Sequence, residues 1–110
     1  MSGPAQRLAA EAQAAITVTD EDGRALELRR PTALERLRLL RAVGPVGAQN
    51  DRYLGMAMLA ACVTSIDGVP LPFPGNEAGV EASVARLGDA GLAAAARALA
   101  PEEDASPAGN

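Results

Sequence analysis

The chain has 110 residues, a formal net charge of -4 and 48% hydrophobic residues, which fits one small folded domain rather than a disordered segment. Alanine fills 25 of the apolar positions, so the core is thin. There is no His, Lys or Trp and only one Cys, which removes an imidazole base or ligand, a phosphate-loop or Schiff-base lysine, a disulfide framework and a Cys-rich zinc site. These absences argue against an enzyme, and no cofactor or metal site is expected.

In chain order, residues 1–15 read as an Ala-rich N-terminal tail without the apolar stretch of a signal peptide. Residues 16–29 read as a β-hairpin. A three-residue loop, Glu21 to Gly23, pairs Val18 with Leu26 and Ile16 with Leu28 on one face, with Gly23 at a left-handed turn position. After Pro31, Thr32 and Glu35 form a capping box for a first helix over about 32–43. Ala33, Leu37 and Leu40, flanked by Leu34 and Val43, give that helix its apolar face, and Gly44-Pro45 ends it.

Asn50 caps a second helix over about 50–64, which has no polar stripe beyond Tyr53 and is expected in the middle of the fold. A tight turn follows at Asp67-Gly68, then an extended connector stiffened by Pro70, Pro72 and Pro74. Helix three covers about 76–87 and stops at Gly88, and Asp89 caps helix four to residue 99. Residues 100–110 form an acidic tail around Glu102, Glu103 and Asp104, and no internal repeat is present. The expected fold is mainly α: a small domain of about four helices, preceded by an N-terminal β-hairpin, with a turn and extended connector between helices two and three. The longest apolar run, Tyr53 to Val63, is eleven residues against the roughly 20 of a membrane helix, so a cytoplasmic protein is expected.

Several groups invite chemistry. Asp20 to Gly23 resembles a calcium loop only superficially, because Val18 and Arg29 stand where carboxylates are required. Cys62 sits among apolar residues, where a thiol is inert. An enzyme would need carboxylates converging in a cleft, such as Asp51 with Asp67 or Asp89, and nothing in the pattern supports that. Residues 24–41 hold six Arg against Glu27 and Glu35. This segment reads as a solvated helix face with Glu35 pairing to Arg38, as a dock for an acidic protein, or as a nucleic-acid contact. The acidic total and the lack of aromatics beyond Tyr53 and Phe73 disfavour nucleic acid. The prolines of the connector read as a rigid link rather than a polyproline ligand, and Met56 and Met58 as core filling or as an adaptable groove.

The series "LRRPTALERLRLLRAVGP", "AQNDRYLGMAMLAACVTSIDGVPLPFP" and "VARLGDAGLAAAARAL" resembles the tail assembly chaperones of long-tailed bacteriophages and prophages, over roughly Ile16 to Leu99. The resemblance implies a mostly helical, non-catalytic protein in the cytoplasm of the bacterial host. It would bind the helical tape-measure protein until tail-tube subunits assemble, and be absent from the mature virion. Self-association is a further way to cover apolar surface. If a groove exists, Tyr53, Met56, Leu71 and Phe73 are its expected lining, while Gly23, Thr32, Glu35, Gly68 and Asp89 serve turns and caps. The alternatives are a tail completion or head-tail connector protein, or a small DNA-binding regulator using the Arg-rich 24–41 segment.

Overall fold

The structure, a computed structural model, describes residues 14–100. The tails expected at 1–15 and 100–110 lie outside that range, apart from residues 14, 15 and 100. Four short strands, β1 (Ile16–Thr19), β2 (Ala25–Leu28), β3 (Val63–Ile66) and β4 (Val69–Pro70), form one antiparallel sheet in that order. Two helices, α1 (Ala33–Ala48) and α2 (Asp51–Cys62), are inserted between β2 and β3, and α3 (Glu77–Leu99) follows the sheet. The expected mainly α domain of four helices is therefore corrected: three helices accompany a four-stranded sheet among the described residues.

The β1–β2 hairpin has the register that keeps its apolar face intact, Ile16 opposite Leu28 and Val18 opposite Leu26, with Gly23 at φ 83°. The correction begins at Val63. Helix α2 stops at Cys62 instead of running to residue 64, because Val63 turns extended and leads β3 onto β2. Val63 and Ile66 are three residues apart, so in a regular strand they would face opposite sides. The register shifts between Glu27 and Leu28, leaving Thr64 unpaired between Val63 and Ser65. The Thr64 hydroxyl donates to the Glu27 carbonyl at 3.1 Å. This bulge turns both Val63 and Ile66 into the core. Asp67 (φ 51°) and Gly68 (φ 81°) then make the left-handed pair of a two-residue hairpin, and Asp67 Oδ1 accepts from the Ala25 N–H at 2.8 Å.

Helix α1 opens with the full Thr32–Glu35 capping box. It then passes Gly44 and Pro45 and continues to Ala48, beyond the end expected at Val43. The expected third and fourth helices are likewise one element, α3, kinked at Gly88. Gly44 (φ 80°, ψ 168°) and Gly88 (φ 64°, ψ -174°) share a backbone region open almost solely to glycine. Each restarts the helix at once, which is why Pro45 is tolerated: it takes the first helical position, where no N–H is needed. Gly88 thus occupies the non-helical position assigned to Asp89, and the Asp89 carboxylate makes no hydrogen bond among the described residues.

Helix α3 serves two cores. Beyond Gly88, Leu92, Ala94 and Ala95 join Leu87 against Leu26, Leu28, Val63, Ile66 and Leu71 on the inner face of the sheet. Before it, Val80 packs with Leu39, Ala42 and Val43 of α1 and Ala57 and Ala61 of α2. Arginines at the two ends of β2 fasten the sheet to this helix. Arg24 donates to the Arg86 and Leu87 carbonyls at 2.8 and 2.6 Å, the groups that the kink leaves without helical partners. Arg30 donates to the Leu99 carbonyl at 3.2 Å, at the end of α3.

The buried Asp20 carboxylate holds Arg24 in place, with Arg24 Nε at 2.8 Å from Oδ2 and the Asp22 and Arg24 amides at 2.9 Å from Oδ1. Burial alone raises the Asp20 carboxyl, but these hydrogen bonds and the Arg24 charge outweigh it and hold it below its ordinary value.

Substituting Gly88→Ala forces a side chain onto that backbone and is expected to destabilise by about 1–3 kcal/mol in urea unfolding. Gly55→Ala, in the α2 interior with open space around the new methyl, should stabilise by about 0.5–1 kcal/mol.

Candidate docking surface

The structure disperses the six arginines of residues 24–41. Arg24 and Arg30 cap α3, as described. Arg29 makes a two-pronged ion pair with Glu35, both N···O distances 2.8 Å, and Arg36 donates to the Pro31 carbonyl at 3.1 Å. The expected Glu35–Arg38 pair does not form, because Arg29 reaches Glu35 from the end of β2 and the capping box holds the carboxylate toward Thr32. Arg38 and Arg41 remain, exposed and without an ion pair among the described residues.

These two residues lie within a row of leucines that the fold does not cover. Helix α1 buries Leu39, Ala42 and Val43. At 100° per residue, Leu37 falls opposite this face and Leu34 and Leu40 to either side of it, and the three are 64%, 53% and 41% exposed. The inner face expected from sequence, Ala33, Leu37 and Leu40, is thus turned outward. Leu34, Leu37, Leu40, Arg38 and Arg41 line a shallow, open patch on the surface of α1. Helix α1 therefore carries two opposed apolar faces, one packed and one open with a guanidinium rim.

The four residues expected to line a groove are not brought together in this way. Leu71 is buried in the core beneath the sheet. Tyr53 and Phe73 pack on the edge of the helical core, with the Tyr53 ring against Gly47 and its hydroxyl 3.5 Å from Glu81. Burial and the neighbouring Glu81 and Glu77 raise the Tyr53 phenol above its ordinary value. Met56 is 44% exposed on α2. Leu71 and Phe73 do line two smaller hollows beside the connector, of about 120 and 170 Å³.

Other candidate chemistry is absorbed by the fold. Cys62 is buried, which raises its thiol and keeps it protonated. Asp67 is committed to the Ala25 amide. Among the described residues no three Cys, Asp or Glu side chains cluster to hold a metal, and no helix is long and apolar enough to cross a membrane. The Arg29 hydrogen bonds, then the Thr32 amide, lower the Glu35 carboxyl to about 2. No family model, curated protein or solved structure matches this chain.

The two faces of α1 should respond differently to truncation. Leu39→Ala is expected to cost about 2–5 kcal/mol, whereas Leu37→Ser should stay within about 0.5 kcal/mol of the parent in urea unfolding. Glu35 adds a pH-dependent contribution of known sign. Its carboxyl ionises at 4.5 when unfolded and about 2 when folded, so its stabilisation is present above pH 4.5 and is lost as pH falls toward 2. Glu35→Gln keeps a capping side chain but loses the charge; it should cost about 1 kcal/mol above that window, a difference that closes within it.

Proposed function

We propose that this protein is a non-catalytic tail assembly chaperone of a long-tailed bacteriophage or prophage. In this reading it binds the helical tape-measure protein in the bacterial cytoplasm, releases it as tail-tube subunits polymerise, and is left out of the finished virion. The observation that carries the binding role is the open leucine row of α1, set opposite the buried face of the same helix and rimmed by Arg38 and Arg41. Three large apolar side chains on one exposed helix face lower the free energy of a complex that covers them, at about 25 cal/mol for each Å² removed from water. The order of sequence features over Ile16 to Leu99 supplies the identity of the partner, through its resemblance to this chaperone family.

The dispersal of the arginines favours a protein partner over nucleic acid. A phosphate-binding surface gathers Lys and Arg into one stripe. Here four of the six Arg of residues 24–41 hold the fold together and two stand among leucines.

Co-expression with the tape-measure protein of the same genome, followed by size-exclusion chromatography with light scattering, tests the reading. A stable complex holding several copies of this chain per tape-measure protein is expected. Separate elution across a range of salt, together with this chain in purified virions, would overturn it in favour of a structural tail component.

A further inference from the structure

We infer that the leucine row of α1 receives an acidic amphipathic helix, whose apolar side chains seat on Leu34, Leu37 and Leu40 and whose carboxylates pair with Arg38 and Arg41. This deepens the binding role proposed above and rests on it for the claim that the surface has a partner at all. The charge on the face selects the occupant. Arg38 and Arg41 are exposed and unpaired among the described residues, in a chain whose net charge is acidic. A guanidinium offers parallel N–H donors that match a carboxylate, so each can take one Asp or Glu side chain.

A second copy of this chain is a poor occupant. Pairing α1 with α1 in parallel would set Arg38 and Arg41 against the same residues, and an antiparallel pairing about Leu37 would set them against Arg36 and Ala33. The one acid on the helix, Glu35, is already bound by Arg29 and Thr32. Residues 101–110 of the chain carry Glu102, Glu103 and Asp104 but no Leu, Ile, Val, Met or Phe to fill the row.

The arrangement also gives the row a direction. Leu34 lies at the start of α1, with Arg38 about one turn and Arg41 about two turns further on and Leu40 between them, so the cations lie toward the far part of the row. The partner helix must then place its carboxylates about 6 and 10.5 Å along from the side chain that meets Leu34, at 1.5 Å per residue, beside its apolar row. A basic helix with the same apolar spacing is disfavoured, because its charges would meet Arg38 and Arg41.

The test uses the full chain and two synthetic helical peptides of about 18 residues, with Leu at i, i+3 and i+7 and either Glu or Lys on the flanks. Binding is read by fluorescence anisotropy and the mass of the free protein by light scattering. The Glu peptide should bind saturably, and R38E/R41E should weaken it about tenfold or more while admitting the Lys peptide about tenfold better than the parent does. Leu37→Ser should weaken both combinations. Equal affinity of the Glu peptide for parent and R38E/R41E, or no saturable binding, would overturn the inference. So would a dimer of the free chain that Leu37→Ser dissolves, since the face would then belong to a second copy. A tape-measure complex that survives R38E/R41E would overturn this inference and leave the chaperone reading standing. Charge-dependent peptide binding with no tape-measure complex would do the reverse.

Discussion

The glycine kink in α3, with Arg24 seated on its open carbonyls, is the constraint on which the rest of the fold depends. A straight helix over Glu77–Leu99 would present one stripe to one neighbour. With Gly88 at φ 64° and ψ -174°, the helix packs Val80 against α1 and α2, while Val84 and Leu87 just before the kink and Leu92, Ala94 and Ala95 beyond it pack in the sheet core. Such a break exposes backbone carbonyls that lose their helical partners. Arg24 satisfies two of them from the loop before β2, and the buried Asp20 beneath it fixes the guanidinium. Local backbone geometry and one charged contact thereby join a small helical core and a small sheet core.

That thinness explains why α1 carries an open face. The helical core is built from Leu39, Val43 and Val80 with three alanines, Ala42, Ala57 and Ala61, edged by Tyr53, Leu54, Met58 and Phe73, and no element among the described residues lies over the outer side of α1. Leu34, Leu37 and Leu40 therefore stay in contact with water, although the fold already buries the opposite stripe of the same helix. A domain with this arrangement gains stability from anything that binds the row, by simple mass action. Folding and the binding of any such partner become linked through α1, which suits the proposed chaperone role.

The parts of this fold written in local chemistry were legible in the sequence. Alternation around Gly23 set the β1–β2 register, because a one-residue slip would have turned Leu26 and Leu28 to solvent. Thr32 and Glu35 marked the start of α1 through reciprocal hydrogen bonds three residues apart. Gly44 and Gly88 were visible as breaks, but a glycine that ends a helix and one that kinks it look alike until the following turn finds its packing. Strand β3 was hidden for a different reason. Val63 and Ile66 have helical spacing, and only the bulge at Thr64, created by pairing with β2, turns both inward. The exposed row of α1 was hidden by leucine on every side of that helix. With Leu34, Leu37, Leu39 and Leu40 all apolar, periodicity could not say which side meets the core, and tertiary contact with Ala57, Ala61 and Val80 made that choice.

The most direct measurement is methyl-resolved NMR of the leucines during titration with the acidic helical peptide, since the leucines report on both candidate surfaces at once. Shifts concentrated at Leu34, Leu37 and Leu40, with Leu39 and Leu71 nearly unmoved, are the predicted result. Shifts centred on Leu71 beside the Pro72–Pro74 connector, with the α1 row unchanged, would contradict the placement of the partner on α1.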